Sequence, residues 1–146
     1  MKTVAELLRA KPSAYVHSIA PDASVLEAVK QLAEKRIGAL LVMAGGRLVG
    51  IVSERDYVRK LAEMERSAFD AKVSDIMTAD VVSVGPRDSV QHCLQLMTDR
   101  RLRHLPVLAE GELIGMLSIG DLVKQTIDDQ ASLIQQLEQY IRGEVG

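Results

Sequence analysis

The 146 residues, 47% apolar and 26% charged, amount to one compact domain of ordinary soluble protein, with enough chain for a sizeable core. A net charge of -2 supplies no general field for nucleic acid, and no apolar run approaches the roughly 20 residues of a membrane-spanning helix. Aromatic residues are 3% and tryptophan is absent, so the core must rest on Val, Leu, Ile, Ala and Met.

The opening, Met1 to Lys11, has no uninterrupted apolar run and no small-residue cleavage site, so it does not read as a secretory signal. Val4 to Leu8 reads instead as an amphipathic helix, within a first segment of residues 1–12. A β-rich stretch, Tyr15 to Ile19, stops at Pro21. Val25, Ala28, Val29 and Leu32 then recur at helical spacing, with Ser24 and Glu27 placed as a capping box. Two apolar runs, Ala39 to Met43 and Leu48 to Val52, flank Gly45-Gly46, which is a hairpin signal. A second helix runs from about Ser53 to Met64, followed by a charged connector, residues 65–77, without Gly or Pro.

The same series then repeats at a constant offset of 65 residues, with no gap. Val81 to Val84 stops at Pro86; Val90, Cys93, Leu94 and Met97 keep the helical period; Leu105 to Leu108 and Leu113 to Leu117 flank Glu110-Gly111; a helix follows from about Ser118 to Ile127. Leu133, Leu137 and Ile141 carry that period into a tail, residues 128–146. Residues 13–64 and 78–127 are therefore two copies of one β-α-β-β-α unit. The expected fold is α/β (α+β), with the two copies packed sheet to sheet about a pseudo-twofold axis and a cleft on either side.

The sharpest motif is Gly50-Ile-Val-Ser53-Glu-Arg55-Asp56, with Gly115-Met-Leu-Ser118-Ile-Gly-Asp121 as its counterpart. Ser-x-x-Asp at a helix start is a capping box, worth about 1 kcal/mol and implying nothing more. A strand running into a helix N-terminus also presents free N–H groups that suit phosphate, and a carboxylate one turn on can accept both hydroxyls of a ribose. From this motif alone, both readings stand.

Together with Asp75-Ile-Met-Thr78 and Arg103-His-Leu-Pro-Val107, these residues resemble the CBS domain family, whose paired copies form a Bateman module. The resemblance spans Val16 to Ile127 and is nearest to stand-alone CBS pairs of bacteria and plant organelles. It implies a regulatory module that binds adenosine compounds (AMP, ADP, ATP, NAD or S-adenosylmethionine), controls a partner protein and forms a homodimer. No metal is implied beyond one accompanying ATP.

Carried over by position, Asp56 and Asp121 would hold ribose hydroxyls, and Ser53 and Ser118 phosphate or ribose oxygens. Arg103 and His104 match basic phosphate-contacting positions, with Pro106 in the same run. Thr78, Asp80 and Val81 would lie at the adenine edge through backbone groups, with Ser13 to Val16 as the equivalent in the first copy. Arg103-His104 aligns with Gly38-Ala39, whereas Arg55 aligns with Gly120, so the clefts should be unequal. Copy two's cleft is the expected phosphate site.

Other residues point nowhere sharper. Arg100 and Arg101 end a helix, where cations offset its dipole. His17 and His92 lack ligands at zinc spacing. Cys93, the lone cysteine, cannot form an internal disulfide, which fits a cytoplasmic protein, and it aligns with Ala28 on a core face. No phosphate loop, dinucleotide fingerprint or nucleophile elbow is present, so an enzyme is not expected. The alternative to a ligand-binding module is a structural or oligomerisation module.

Overall fold

The computed structural model describes residues 2–11, 16–64 and 70–143. In chain order the elements are α1 (Val4–Ala10), β1 (Ser18–Ile19), α2 (Val25–Lys35), β2 (Ala39–Ala44), β3 (Arg47–Ser53), α3 (Glu54–Met64), α4 (Val73–Ile76), α5 (Val90–Arg100), β4 (His104–Ala109), β5 (Glu112–Ser118) and α6 (Ile119–Ile141). The first unit has sheet order β1-β2-β3, with β1 parallel and β3 antiparallel to β2; the second has the hairpin β4-β5.

Local chemistry accounts for the elements. Ser24 and Ser89 cap α2 and α5, each hydroxyl accepting the backbone N–H three residues on, from Glu27 and His92. Both helices end on an arginine in the left-handed region, Arg36 and Arg101. Both hairpins turn on two residues of positive φ: Gly45-Gly46, and Glu110-Gly111. That is the primed geometry whose twist matches the strands it joins. Even the register irregularity recurs at equivalent places, Val42/Met43 and Val107/Leu108.

The copies part company at their first strand. Val81 to Val84 does not form one; a single parallel bridge joins Val84 to Val107. In the first unit Leu41 N–H donates to His17 O at 3.2 Å. Its equivalent, Pro106, has no N–H to give, so that rung is missing.

Each unit has its own core. Leu40, Val42 and Val52 pack with Val25, Ala28 and Leu32 of α2, while Leu105, Val107 and Leu117 pack with Val90, Cys93 and Met97 of α5. Ala39 and Leu41 are also fully buried, and strand alternation turns them to the opposite face, toward the second unit. There the Gly38 backbone comes so close to His104 that a Cβ would sit 3.3 Å from its ring.

The lead-in segments cross over. Helix α1 packs in the second unit's core through Val4 and Leu7, and α4 packs in the first unit's core through Val73 and Ile76. Val4 and Ala5 donate to Asp88 O and Pro86 O at 2.8 and 2.9 Å; Val73 and Ser74 donate to Ala23 O and Pro21 O at the same distances. Leu8 then lies over Gly115 as Met77 lies over Gly50. Helix α6 is continuous from the second unit into the tail, and no helix among the described residues is long and apolar enough to cross a membrane.

Candidate functional site

Both Ser-x-x-Asp boxes are built as caps. Asp56 Oδ2 accepts from Ser53 N–H and from Ser53 Oγ–H, each at 3.0 Å, and Asp56 N–H donates to Ser53 Oγ at 3.3 Å. Asp121 Oδ2 accepts from Ser118 N–H at 2.8 Å, and Asp121 N–H donates to Ser118 Oγ at 3.2 Å. The carboxylates then diverge. Lys11 Nζ stands 3.0 Å from Asp121 Oδ2 and also donates to Met116 O at 2.8 Å. At Asp56, among the described residues, no side chain donates to Oδ1.

Asp56 opens instead onto a cleft of about 560 Å³ between the two units. The first unit contributes Ser53, Arg55, Asp56 and Arg59; Thr78 closes one edge; the second unit contributes the Arg100–His104 corner. Five arginines, Arg55, Arg59, Arg100, Arg101 and Arg103, face two carboxylates, Glu54 and Asp56. Burial pushes His104 below the ordinary histidine value of 6.5; Arg103 and Lys11 push the same way, against Asp121 and Glu54. The imidazole is therefore neutral near pH 7, and the cleft's net charge is about +3 in a protein of net charge -2.

This arrangement differs from the sequence expectation in one respect. Arg103 and His104 line the cleft of Ser53 and Asp56, although His104 is also the strand partner of Ser118 in its own hairpin. The reason is that the Gly38 backbone, just before β2, abuts the His104 ring at the start of β4, so the Arg100–His104 corner faces the Ser53–Asp56 end of the first unit. Arg55 and Arg103, which seem in the alignment to replace one another in different clefts, converge in one.

Other expected positions fall as follows. Thr78 lines the cleft, but its N–H and C=O pair with Ile51 at 2.8 and 3.0 Å, so its backbone is already engaged. Asp80 is exposed, Val81 half-buried and Pro106 buried within β4. Of the first copy's equivalent segment, residues 13–15 lie outside the described residues. Arg59 and Lys11 belong to none of the motifs in the sequence. Arg59 lies one turn beyond Arg55, a helical spacing that could have found it; nothing in the sequence ties Lys11 to Asp121.

Asp121 and Cys93 show opposite shifts. Burial alone would raise the Asp121 carboxyl, but the Ser118 backbone donor and Lys11 outweigh it and hold it below its ordinary value. Burial, aided by Asp88, pushes the Cys93 thiol up to about 11, which keeps it unreactive. No group of three or more His, Cys, Asp or Glu side chains gathers among the described residues.

Known proteins share this architecture. The CBS domain family matches residues 4–63 and again 73–128. The CBS domain-containing protein CBSX3, mitochondrial, of Arabidopsis thaliana is 42% identical over 127 residues, which cover 84% of this chain and 62% of that protein's length. A solved structure of a CBS-domain protein from Burkholderia ambifaria, assigned to signal transduction, superposes with a TM-score of 0.85 at 50% identity, over 88% of this chain and 96% of its own. CBSX2 in complex with AMP superposes with a TM-score of 0.73 at 26% identity, over 88% of this chain and 98% of its own. With both units matched and the two lead-in helices exchanged between them, the chain belongs to the CBS domain family and carries that domain twice.

Proposed function

We propose that the chain is a cytoplasmic regulatory module that binds a phosphate-bearing adenosine compound in the cleft between Asp56 and Arg103. The observation that carries this is the convergence of Asp56 with five arginines in one cleft of about 560 Å³, a volume within the usual range for small-molecule sites. Asp56 would accept the ribose hydroxyls through Oδ1 while Oδ2 keeps its cap. Ser53 and the arginines, Arg103 foremost, would hold the phosphates, with His104 taking up a proton as they arrive. Thr78, Asp80 and Val81 would flank the base. The AMP complex of CBSX2 supports an adenosine ligand.

Charge ranks the candidates. A net charge of about +3 favours ATP and ADP over AMP and NAD, and disfavours the sulfonium of S-adenosylmethionine. Ser118 and Asp121 would form a second, weaker site, because Lys11 already occupies the carboxylate. Both units line the first cleft, so an occupant binds differently to different arrangements of the two units and shifts their balance, which a partner protein reads. Two copies of the chain pair, and the ligand is recovered chemically unchanged.

A second reading, a ligand-free structural module, is favoured by one observation: both Ser-x-x-Asp boxes are complete caps without any ligand. Thermal unfolding with ATP, NAD, AMP and S-adenosylmethionine separates the two. A ligand at 100 times its dissociation constant adds about 2.7 kcal/mol of stability. The expected order is ATP first and S-adenosylmethionine last; no shift with any of them at millimolar levels leaves the structural reading.

A further inference from the structure

The basic corner of the cleft is held by its own backbone. Helix α5 ends with Arg101 in the left-handed region, its N–H donating to Met97 O, and Leu102 N–H donates to the same oxygen at 2.9 Å. Ile119 N–H then donates to Arg103 O at 2.8 Å. Arg100, Arg101 and Arg103 thus start from a pinned turn and line one side of the cleft. Arg55 and Arg59, one turn apart on α3, line it from the other unit.

Donors on this scale exceed what one phosphate group accepts, since each guanidinium presents about five N–H groups and no acceptor. Carboxylates are scarce beside them: among the described residues, Glu54 and Asp56 are those that line the cleft. Asp56 Oδ2 is held in its cap, and Oδ1 is the acceptor assigned above to the ribose. Glu54 alone is left for the phosphate end, and its charge already acts on His104. Magnesium carried on a nucleotide commonly takes one or two protein carboxylates, along with phosphate oxygens and waters. In this cleft it would stand among five arginines that repel it, and would occupy phosphate oxygens that they would otherwise bind.

We propose that the cleft between Asp56 and Arg103 takes its nucleoside di- or triphosphate free of magnesium, with the arginines standing where the metal would. This rests on the adenosine reading above and names the ionic form that is recognised. A free triphosphate carries about four negative charges and its magnesium complex about two, so a cleft of about +3 distinguishes the two forms by charge. A monophosphate holds magnesium weakly and is little affected. The signal read is then the uncomplexed nucleotide, and excess magnesium narrows or reverses the preference for ATP over AMP.

Calorimetric titration of the full chain tests the proposal, with ATP in EDTA and again in excess magnesium chloride, sodium chloride equalising the ionic strength. Magnesium should weaken ATP by at least roughly tenfold, the order of one charge-assisted hydrogen bond lost, and AMP by less than about twofold. A chain carrying both Arg55→Gln and Arg100→Gln, two exposed positions, should lose ATP affinity mainly in EDTA, which narrows the ratio between the buffers. Glu54→Gln tests the opposite arrangement. A nucleotide bridged to Glu54 by metal would lose affinity in magnesium, whereas here Glu54→Gln should leave ATP binding equal or tighter in both buffers. Three results overturn the metal-free form while leaving the adenosine reading intact: ATP bound as tightly with magnesium as without, a ratio unchanged in the arginine variant, or a loss in Glu54→Gln confined to magnesium. ATP that binds in neither buffer overturns both.

Discussion

The two Ser-x-x-Asp boxes start from the same parts. Each has a strand ending in Ser, a helix beginning at once, and an Asp whose Oδ2 closes the cap. They differ in what meets the carboxylate next. Asp121 meets Lys11, a residue of the chain's own lead-in, whereas Asp56 faces a cleft edged by arginines from both units. Duplication thus gives two equal caps, and the side chains around them leave one facing an arginine-rich cleft and the other in an internal ion pair.

The largest effects should come from Asp56 and Arg103. Asp56→Ala removes the ribose acceptor, and Arg103→Ala a charge-assisted donor to phosphate; either should weaken the tightest-binding nucleotide by roughly 10- to 100-fold. Asp121→Ala should leave that affinity within about a factor of three. Calorimetric titration reads all three, and equal losses at Asp56 and Asp121 would mean that the clefts are not divided as proposed.

The equivalent glycines give the next contrast. A Cβ on Gly50 would lie 2.6 Å from Met77 Sδ and 3.1 Å from the Thr78 carbonyl oxygen, a backbone atom. A Cβ on Gly115 would meet only the Leu8 side chain, at 2.8 and 3.1 Å, and that can rotate. Gly50→Ala should therefore cost about 1–3 kcal/mol in denaturant unfolding, and Gly115→Ala clearly less. Because Thr78 edges the first cleft, Gly50→Ala should weaken ligand as well; a Gly115→Ala chain no more stable than Gly50→Ala would remove the asymmetry.

The smallest effects are in the pH dependence. The Asp121 pKa is lower in the folded state than its ordinary 3.8, so its contribution to stability is present above that value and lost as pH falls through the folded pKa. Lys11→Ala removes one cause of the lowering. It should cost up to about 1 kcal/mol at neutral pH and nothing once the carboxylate is protonated. The His104 pKa is also lowered, so the unfolded chain takes up a proton first and stability declines as pH drops from 6.5 through the folded pKa. His104→Asn should flatten that part of the unfolding profile; an unchanged slope would assign it to other groups.

The repeat made most of the fold legible. Helix periods at Val25–Leu32 and Val90–Met97, the two hairpin turns and the caps at Ser24 and Ser53 depend on residues within a few positions of each other, where local propensity and capping act. The missing first strand of the second unit was legible in principle too, because Pro106 cannot donate the rung that Leu41 provides. That the two copies differ was also visible, in Arg103-His104 against Gly38-Ala39.

The cleft to which those residues belong was not visible. An alignment of repeats compares each residue with its equivalent, whereas a pseudo-twofold fold brings each residue against the other copy. Sequence therefore determined the units, their turns, their caps and the helical period that continues into the tail of α6. Only the tertiary structure decided that α1 serves the second unit and α4 the first, that Lys11 meets Asp121, and that Arg55 and Arg103 line one cleft. These are contacts over long sequence separations, set by how two sheets and two lead-in helices pack, and no local period encodes such a pairing.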